Sequence, residues 1–299
     1  TNATRCSDTD HDGSRRSRDN HSGLACMVRL RFMLGHNSPW RADNPSPIFE
    51  EPMKVILLGT AGYHPNERRH TSCVLLPELG VMLDAGTALF RAGKYLQGES
   101  LDIFLTHTHL DHVVGLTYLF DLVREHPLNR IFVHAAPGKC QAITEHLLAP
   151  PLFPAKLPFE LRPLLGPTEL VGGGCCRFFP LEHPGGAFGF RIDHAGRSLA
   201  YVTDTTADPS ASYVKHIGGV DLLIHECYAN DAQQDFARQT GHSWPTAVAE
   251  TGAAAGVGRL VLTHLNPLLD DSTPDRLDAA RRCFPNLSVA EDGMEIEWG

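Results

Sequence analysis

The feature that most constrains this chain of 299 residues is the run Leu-Thr-His-Thr-His-Leu-Asp-His at positions 105–112. Four side chains that can bind a metal fall within six residues there: His107, His109, Asp111 and His112. Imidazole and carboxylate groups at this density suit zinc or a similar divalent ion, and the geometry then selects the metal. A polar loop with a chance cluster of histidines is the alternative, because a short motif needs structural context.

The surroundings of this run favour a metal site. It directly follows an apolar, strand-like segment at 101–105, and a strand end is a rigid platform from which a loop can direct its side chains toward one point. His107 and His109 are two residues apart, so their side chains can point the same way. Asp111 and His112 lie just beyond and can reach a second point nearby. The spacing therefore predicts two metal ions.

The composition limits the classes of function. With 42% hydrophobic residues, the chain can bury a large core in one large α/β domain or two small ones. The formal net charge of -9 argues against a basic surface that coats nucleic acid, although bound metals would supply local positive charge. Eight irregularly spaced cysteines without a Cys-x-x-Cys pair are typical of reduced thiols in a cytoplasmic protein. No apolar run reaches the length of a membrane span, so we expect an intracellular protein without a membrane partner.

Two parts of the chain differ in their patterning. Residues 1–52 are rich in Arg, Asp, Ser and Asn with little apolar periodicity, and we expect a disordered N-terminal extension there. We expect one folded domain over 53–299, in which strands come in meanders and alternate with helices, as in α/β layers built on two sheets. The patterns predict a surface excursion over the proline-rich segment 149–167 and helices at 86–97, 112–125, 138–148, 244–255 and 274–283.

A site with two metals needs more ligands than one loop supplies, and the ends of later strands are where they are expected. Three later residues each follow an apolar run: His183, Asp204 and His264. Each one alone is typical of a turn or cap residue. Together with the run at 105–112 they form a strong set of candidate ligands.

With these residues in view, the chain resembles the metallo-β-lactamase superfamily from residue 53 to about 299, and its ribonuclease Z-like phosphodiesterase branch in particular. The similarity also rests on short motifs: the opening strand and glycine loop at 55–62 (the loop being 59–62) with Arg69 and Ser72, Leu-Ile-His-Glu at 223–226, Gly-His-Ser at 241–243 and Leu-Thr-His at 262–264. The resemblance implies a four-layer αββα sandwich with two mixed sheets and metals at one edge. The glycine loop would either offer backbone amides to a phosphate or simply form a flexible turn.

The resemblance also implies a role for each matching residue. The first ion would be held by His107, His109 and His183, the second by Asp111, His112 and His264, with Asp204 as the bridge. Both ions would be zinc, with manganese as the alternative. Asp111 would also accept a proton from the attacking water, and His242, oriented by Glu226, would protonate the leaving oxygen or clamp the phosphate. The neighbouring His225 would support the site and not bind metal.

The chain departs from ribonuclease Z in three respects. That enzyme carries a long arm that grips tRNA between its third and fourth motifs, whereas here His183 and Asp204 are only 21 positions apart. A strand, a turn and a strand occupy 187–203, which leaves no room for the arm. The usual Ser-x-Arg-Tyr pattern after His264 is replaced by Leu-Asn-Pro, and the chain has only five lysines. These departures argue against cleavage of tRNA.

Three functions remain open on the sequence. The first is a dinuclear phosphodiesterase or ribonuclease Z-like endonuclease without the arm, acting on RNA ends or on a small or cyclic diester. The second is a metal-dependent hydrolase of a lactone, thioester or other carboxylic substrate. The pair Glu226 and His242 favours the first, because a poor alkoxide leaving group gains more from protonation. The third, a non-catalytic module stabilised by metal, is disfavoured by the complete ligand set. The natural substrate, the metal and the oligomeric state stay open, and a homodimer is among the options.

Overall fold

The structure, a computed structural model, describes residues 53–269 and 277–298. The extension predicted over 1–52 lies outside the described residues, as does part of the helix predicted at 274–283. Two seven-stranded mixed sheets, with helices on their outer faces, make up the described part of the chain. The prediction of an αββα sandwich is confirmed.

In the first sheet, the pairing of neighbouring strands changes once, from antiparallel to parallel. Its strands are β1 (Met53–Gly59), β2 (Cys73–Leu76), β3 (Val81–Leu83), β4 (Ser100–Phe104), β5 (Arg130–Ala135), β6 (Glu160–Pro163) and β14 (Met294–Trp298). They lie in the order β14-β1-β2-β3-β4-β5-β6. The pairs from β14 to β3 are antiparallel, and the pairs from β3 to β6 are parallel. The register places Met53 opposite Trp298.

The second sheet repeats this plan. Its strands are β7 (Thr168–Glu169), β8 (Cys175–Leu181), β9 (Ala187–His194), β10 (Arg197–Val202), β11 (Leu222–Glu226), β12 (Arg259–Thr263) and β13 (Leu287–Val289). They lie in the order β13-β12-β11-β10-β9-β8-β7. The strands β10 to β13 are parallel, whereas β7 to β10 pair antiparallel. Each sheet therefore presents a parallel half whose strands all end at the same edge.

The helices are short. They are α1 (Leu110–Val113), α2 (Leu119–Glu125), α3 (Pro137–Ala142), α4 (Val214–Ile217), α5 (Gln234–Thr240), α6 (Pro245–Ala255) and α7 (Asp278–Cys283). Short 3-10 helices, called tight turns below, occur at Pro77–Leu79, Leu89–Lys94, Val114–Tyr118 and Asp231–Gln233. A short π-helix occurs at Ile143–Leu147. None of the helices in the described ranges is long and apolar enough to cross a membrane.

Three apolar layers hold the sandwich together. The layer between the sheets contains large buried side chains such as Phe104, Phe190, Tyr201 and Trp298. One outer layer packs α6 and α7 on the second sheet, and the other packs α2 and the turn Leu89–Lys94 on the first. Central strands are covered on both faces, which is why they read in the sequence as continuous apolar runs.

The structure differs from the predicted helices in the first half of the domain. The helix predicted at 86–97 is only the tight turn Leu89–Lys94, and the helix predicted at 112–125 is broken into α1, a tight turn and α2. The break falls where Gly115 donates its N–H to Ala85 O, and a Cβ there would lie 2.2 Å from Gly86 O. This close approach of two backbones is a tertiary contact that helical periodicity does not reveal.

The excursion predicted over 149–167 is also partly wrong, because it contains the edge strand β6. Three of its four residues are exposed and the fourth is half-buried, so no apolar run marks it. The short strands β7 and β13 and the helices α4 and α5 were likewise not predicted.

Candidate metal centre

The candidate site lies at the edge where the parallel halves of both sheets end. The run at 107–112 follows β4, and the later candidate ligands follow β8, β10 and β12 in the second sheet. Because the carboxyl ends of parallel strands meet at one edge, residues far apart in the sequence converge there. The structure brings all seven predicted ligands to this edge.

Three of these ligands surround one point and are called the first donor group: His107, His109 and His183. Their ring nitrogens and a carboxylate oxygen of Asp204 all lie within 4.8 Å of one another. His107 Nε2 and His183 Nε2 each lie 3.6 Å from Asp204 Oδ2. The distance from His183 Nε2 to His109 Nδ1 is 3.4 Å.

The other three ligands form the second donor group: Asp111, His112 and His264. The two histidines face each other through their Nε2 atoms at 3.2 Å. Asp111 Oδ2 lies 3.3 Å from His112 Nε2 and 3.4 Å from His264 Nε2. Asp204 faces this group with its other oxygen, Oδ1, at 3.3 and 3.2 Å from the same two nitrogens. Asp204 therefore lies between the two groups, with one oxygen toward each.

The donor atoms fit divalent ions in spacing and in chemistry. Atoms bound to a tetrahedral zinc at about 2.0–2.1 Å lie about 3.3–3.5 Å from each other, and the distances above fall close to that range. His107 Nε2 is buried and has no hydrogen-bond partner among the described residues. A buried polar atom is rarely left without a partner, so a bound cation accounts for this nitrogen.

The charges of the two groups differ. Burial lowers the pKa of all three histidines of the first donor group, which favours the neutral imidazole that binds metal. Burial would also lower the pKa of His112, but the carboxylates of Asp204, Asp111 and Asp84 outweigh it and raise that pKa. Carboxylates on both sides of this ring favour a positive charge beside it, and a divalent ion at its Nε2, near Asp111 and Asp204, would supply one.

An unusual backbone conformation aims several of these side chains. Five non-glycine residues in the described ranges have positive φ, and four of them belong to this edge: Tyr63, Asp84, Asp204 and His264. Asp84 and His264 directly follow β3 and β12, and one residue separates Asp204 from the end of β10. The left-handed conformation costs about 1–3 kcal/mol at such residues and clusters at functional sites. Here it turns the chain sharply where a strand ends.

Asp84 is a part of the site that the sequence reasoning missed. Its Oδ2 lies 2.8 Å from His112 Nδ1 and accepts a hydrogen bond from Tyr201 OH at 3.1 Å. Thr106 donates to the same carboxylate from its N–H and its hydroxyl. A carboxylate on the far nitrogen fixes the orientation of a metal-binding imidazole. The only sequence signal was an acid at the end of a buried strand, which also describes an ordinary turn residue.

The glycine loop supports the ligands from the other side. The N–H groups of Gly62 and Tyr63 donate to Leu265 O and to Asp111 Oδ2. A Cβ on Gly62 would lie 2.4 Å from the His264 ring, so only glycine leaves room for that ligand. Of the two roles left open for this loop, the tight turn fits the structure, because these amides are already bonded within the protein.

The predicted pair of Glu226 and His242 lies beside the second donor group. His242 Nδ1 is 3.0 Å from Glu226 Oε1, and the carboxylate also accepts from the N–H groups of Thr205, Tyr228 and Ser243. Burial alone would lower the pKa of His242, but the Glu226 carboxylate outweighs it and raises that pKa to about 9. His225 points elsewhere, since its ring nitrogens contact Glu226 O and Tyr213 OH.

A pocket of about 210 Å³ opens over the donor groups. It is lined by ligands of both groups, by His242 and by three aromatic side chains: Tyr63, Tyr228 and Phe236. His242 is positioned by Glu226 through Nδ1, which leaves its Nε2 for a molecule in the pocket. The arrangement can therefore hold cations, a substrate and a proton donor in one place.

Comparison with known proteins identifies the family. Residues 81–265 match the beta-lactamase superfamily domain. The ribonuclease Z of Methanothermobacter thermautotrophicus is 28% identical over 304 residues, which cover 82% of this chain and 96% of that protein.

Two solved structures share the fold. The short form of human tRNase Z has a TM-score of 0.65 and 25% identity, and the match covers 83% of this chain and 100% of that one. The metallo-beta-lactamase fold protein YhfI from Bacillus subtilis has a TM-score of 0.70 and 22% identity with the same coverage. The chain therefore belongs to the beta-lactamase superfamily, within which it is a metal-dependent, ribonuclease Z-like hydrolase.

Proposed function

We propose that this chain is a dinuclear phosphodiesterase that cleaves RNA ends or small nucleotide diesters. The observation that carries the proposal is the buried Glu226 carboxylate, which holds His242 at the pocket beside Asp204. A proton donor at this position matters most when the leaving group is a poor one, such as the alkoxide released from a phosphodiester.

The two donor groups would each hold one divalent ion, zinc or alternatively manganese, with Asp204 between them. The ions would supply a water of lowered pKa and positive charge against the attacking and leaving oxygens at phosphorus. Asp111 Oδ2, already bonded to the Tyr63 N–H, would be both a ligand and the acceptor of the proton from that water.

His242 would act on the other side of the scissile bond. With Nδ1 donating to Glu226 Oε1, the charged form of the ring carries a second proton on Nε2, and the leaving oxygen would receive that proton. The Glu226 carboxylate stabilises the charged ring, because it raises the pKa of His242 to about 9 despite burial. Glu226 is therefore a positioning residue, and His242 is the catalytic one.

The substrate would be smaller than a whole tRNA, or the end of an RNA. The stretch between His183 and Asp204 is filled by the hairpin of β9 and β10, so no gripping arm extends from it in this described segment. The relative and the neighbour above are named ribonuclease Z and tRNase Z, which supports phosphodiester chemistry on RNA. The described cysteines are free thiols, which fits the predicted cytoplasmic location. A homodimer stays a prediction.

A substrate panel tests this proposal. Protein loaded with zinc or manganese is assayed on bis(p-nitrophenyl) phosphate, an RNA with a 3′ extension, a cyclic nucleotide and a lactone, with the metal content measured on the same preparation. We expect hydrolysis of diesters and two ions per chain. His109→Ala should abolish activity, whereas His146→Ala, which changes an exposed histidine outside the site, should not. Activity on the lactone alone, or diester hydrolysis that survives His109→Ala, would contradict the proposal.

A further inference from the structure

The ring of Tyr63 has no role in the metal centre or the core. Tyr63 follows the glycine loop, lines the pocket and is 72% exposed. Its backbone N–H donates to Asp111 Oδ2, but its side chain takes no part in that hydrogen bond. Its φ of 63° is one that glycine adopts freely and a bulky residue does not. A glycine would make the same hydrogen bond with less strain, so the backbone contact does not account for this ring. The ring meets that of its neighbour His64 edge to face, with 5.3 Å between centroids, and otherwise faces the pocket.

Two more aromatic side chains line the same pocket. Phe236 lies on α5 and is 46% exposed, although a large apolar ring is normally buried. Tyr228 is half-buried and stacks on His242, with 4.7 Å between ring centroids. Both share the pocket with Tyr63 and with the carboxylates of Asp111 and Asp204. Ring faces are thus available next to the proposed reaction centre.

The charge of the chain limits the other ways to hold a nucleic acid. The net charge is -9 and the chain has five lysines, whereas binding through phosphates depends on Lys and Arg side chains. The residues described as lining the pocket include no lysine or arginine. Stacking on aromatic rings needs no basic surface and accepts every base, because each base has a π face.

We infer that Tyr63, Tyr228 and Phe236 form a stacking subsite for a nucleobase that flanks the scissile diester. The inference rests on the proposed phosphodiesterase function and deepens it by naming the side chains that hold the nucleobase of the substrate. The rings select the substrate, and the donor groups and His242 act on its phosphate. Binding then depends more on stacking than on contacts with a long phosphate backbone.

Two esters with the same leaving group test the subsite: thymidine monophosphate p-nitrophenyl ester, which carries a base, and methyl p-nitrophenyl phosphate, which does not. We expect the unmodified protein to prefer the thymidine ester in kcat/KM. Tyr63→Ala and Phe236→Ala should each reduce that preference by about 5- to 100-fold, as expected for the loss of one stacked base. Most of the change should appear in KM.

Two variants serve as controls. Tyr63→Phe keeps the ring and should keep the preference. Phe120→Ala removes a phenyl group of 44% exposure, close to that of Phe236, from a surface outside the pocket, and should also keep it. An equal preference in the unmodified protein and both alanine variants, with both esters hydrolysed, would overturn the subsite and leave the phosphodiesterase proposal intact. Failure of the unmodified, metal-loaded protein to hydrolyse either ester would overturn both.

Discussion

The two donor groups lie side by side, yet the fold holds them differently. In the first group His109 is exposed, His183 half-buried and His107 buried, whereas in the second group His112 and His264 are buried and Asp111 is half-buried. His112 is bonded to Asp84, and Asp111 to the N–H of Tyr63. In the second group, His112 and Asp111 are thus held by a carboxylate and a backbone N–H, whereas His264 Nδ1 has no hydrogen-bond partner among the described residues. The first group opens toward solvent at His109.

This difference predicts that the two donor groups bind their ions with different affinities. Ligands fixed by surrounding hydrogen bonds bind metal more tightly, because less freedom is lost when the ion arrives. In the first group His183 Nδ1 is 3.2 Å from Gly241 O and His107 Nδ1 is 3.1 Å from Thr106 Oγ1, whereas the His109 ring packs edge-on against the rings of His107 and His183. We therefore expect the second ion to be the more tightly bound and the first to exchange more readily.

The largest effect should come from Asp204, the residue shared by both groups. Asp204→Asn removes a charge from each, so both ions should bind weakly and diesterase activity should fall by roughly 10³-fold or more, since several kcal/mol of charge stabilisation depend on the ions. Metal analysis and steady-state kinetics measure this. Asp208→Asn, which changes an exposed aspartate on the same loop, is the matched control. Loss of only one ion would show that Asp204 serves a single group.

The next effect concerns His242, which contacts both groups and is assigned to neither. Its ring lies 5.4 Å from that of His183 and 5.5 Å from that of His264, between centroids. His242→Gln should lower kcat by about 10²–10⁴-fold on a substrate with an alkoxide leaving group. The loss should be much smaller with p-nitrophenolate, which leaves without a proton, and the metal content should not change. An equal loss with both leaving groups would argue against proton donation.

A change at Asp84 should affect mainly the second donor group, because Asp84 contacts His112 of that group. Asp84→Asn removes the carboxylate behind His112 and should weaken binding of the second ion by about 10- to 100-fold, with little change at the first. Calorimetric titration of metal-free protein with zinc resolves the two steps. Asp102→Asn removes another buried aspartate–histidine contact, with His134 at 2.8 Å, and should leave both affinities unchanged. Equal weakening of both ions would mean that the groups are not held separately.

The smallest effect should come from Thr106, which contacts His107 of the first group and Asp84, the residue that supports His112 of the second. Its hydroxyl is within hydrogen-bond distance of Asp84 and of His107 Nδ1. Thr106→Val keeps the shape and removes these bonds, each of which contributes about 1 kcal/mol. Both zinc affinities should therefore fall by a few fold in the same titration, with Thr106→Ser as the control that restores the hydroxyl. If the affinity for only one ion falls, Thr106 supports only the donor group that binds that ion.

The sequence singled out the candidate ligands more readily than the residues that support them. His183, Asp204 and His264 could be found because each comes just after an apolar run, and strand ends converge at one edge. Asp84 satisfies the same rule but resembles no motif, so nothing distinguished it from a turn residue. The left-handed conformations at Asp84, Asp204 and His264 depend on the packed sheets, and local propensity does not reveal them.

The parts of the fold that could not be predicted from the sequence have a similar cause. The strands that were predicted contain buried apolar residues, in a continuous run as in β1 or at alternate positions as in β14, so their patterns were visible. The edge strand β6 is mostly exposed and leaves no such pattern. The break after α1 depends on Gly115 lying against the backbone of Ala85 and Gly86, a contact between segments about 30 positions apart in the sequence.

The most direct test of two donor groups acting as one centre is a zinc titration of metal-free protein, with hydrolysis of bis(p-nitrophenyl) phosphate recorded at each addition. Because the second donor group should fill first and both ions are needed, we predict little activity up to one equivalent and a steep rise between one and two. Full activity at one equivalent, or none after two ions are bound, would contradict the account.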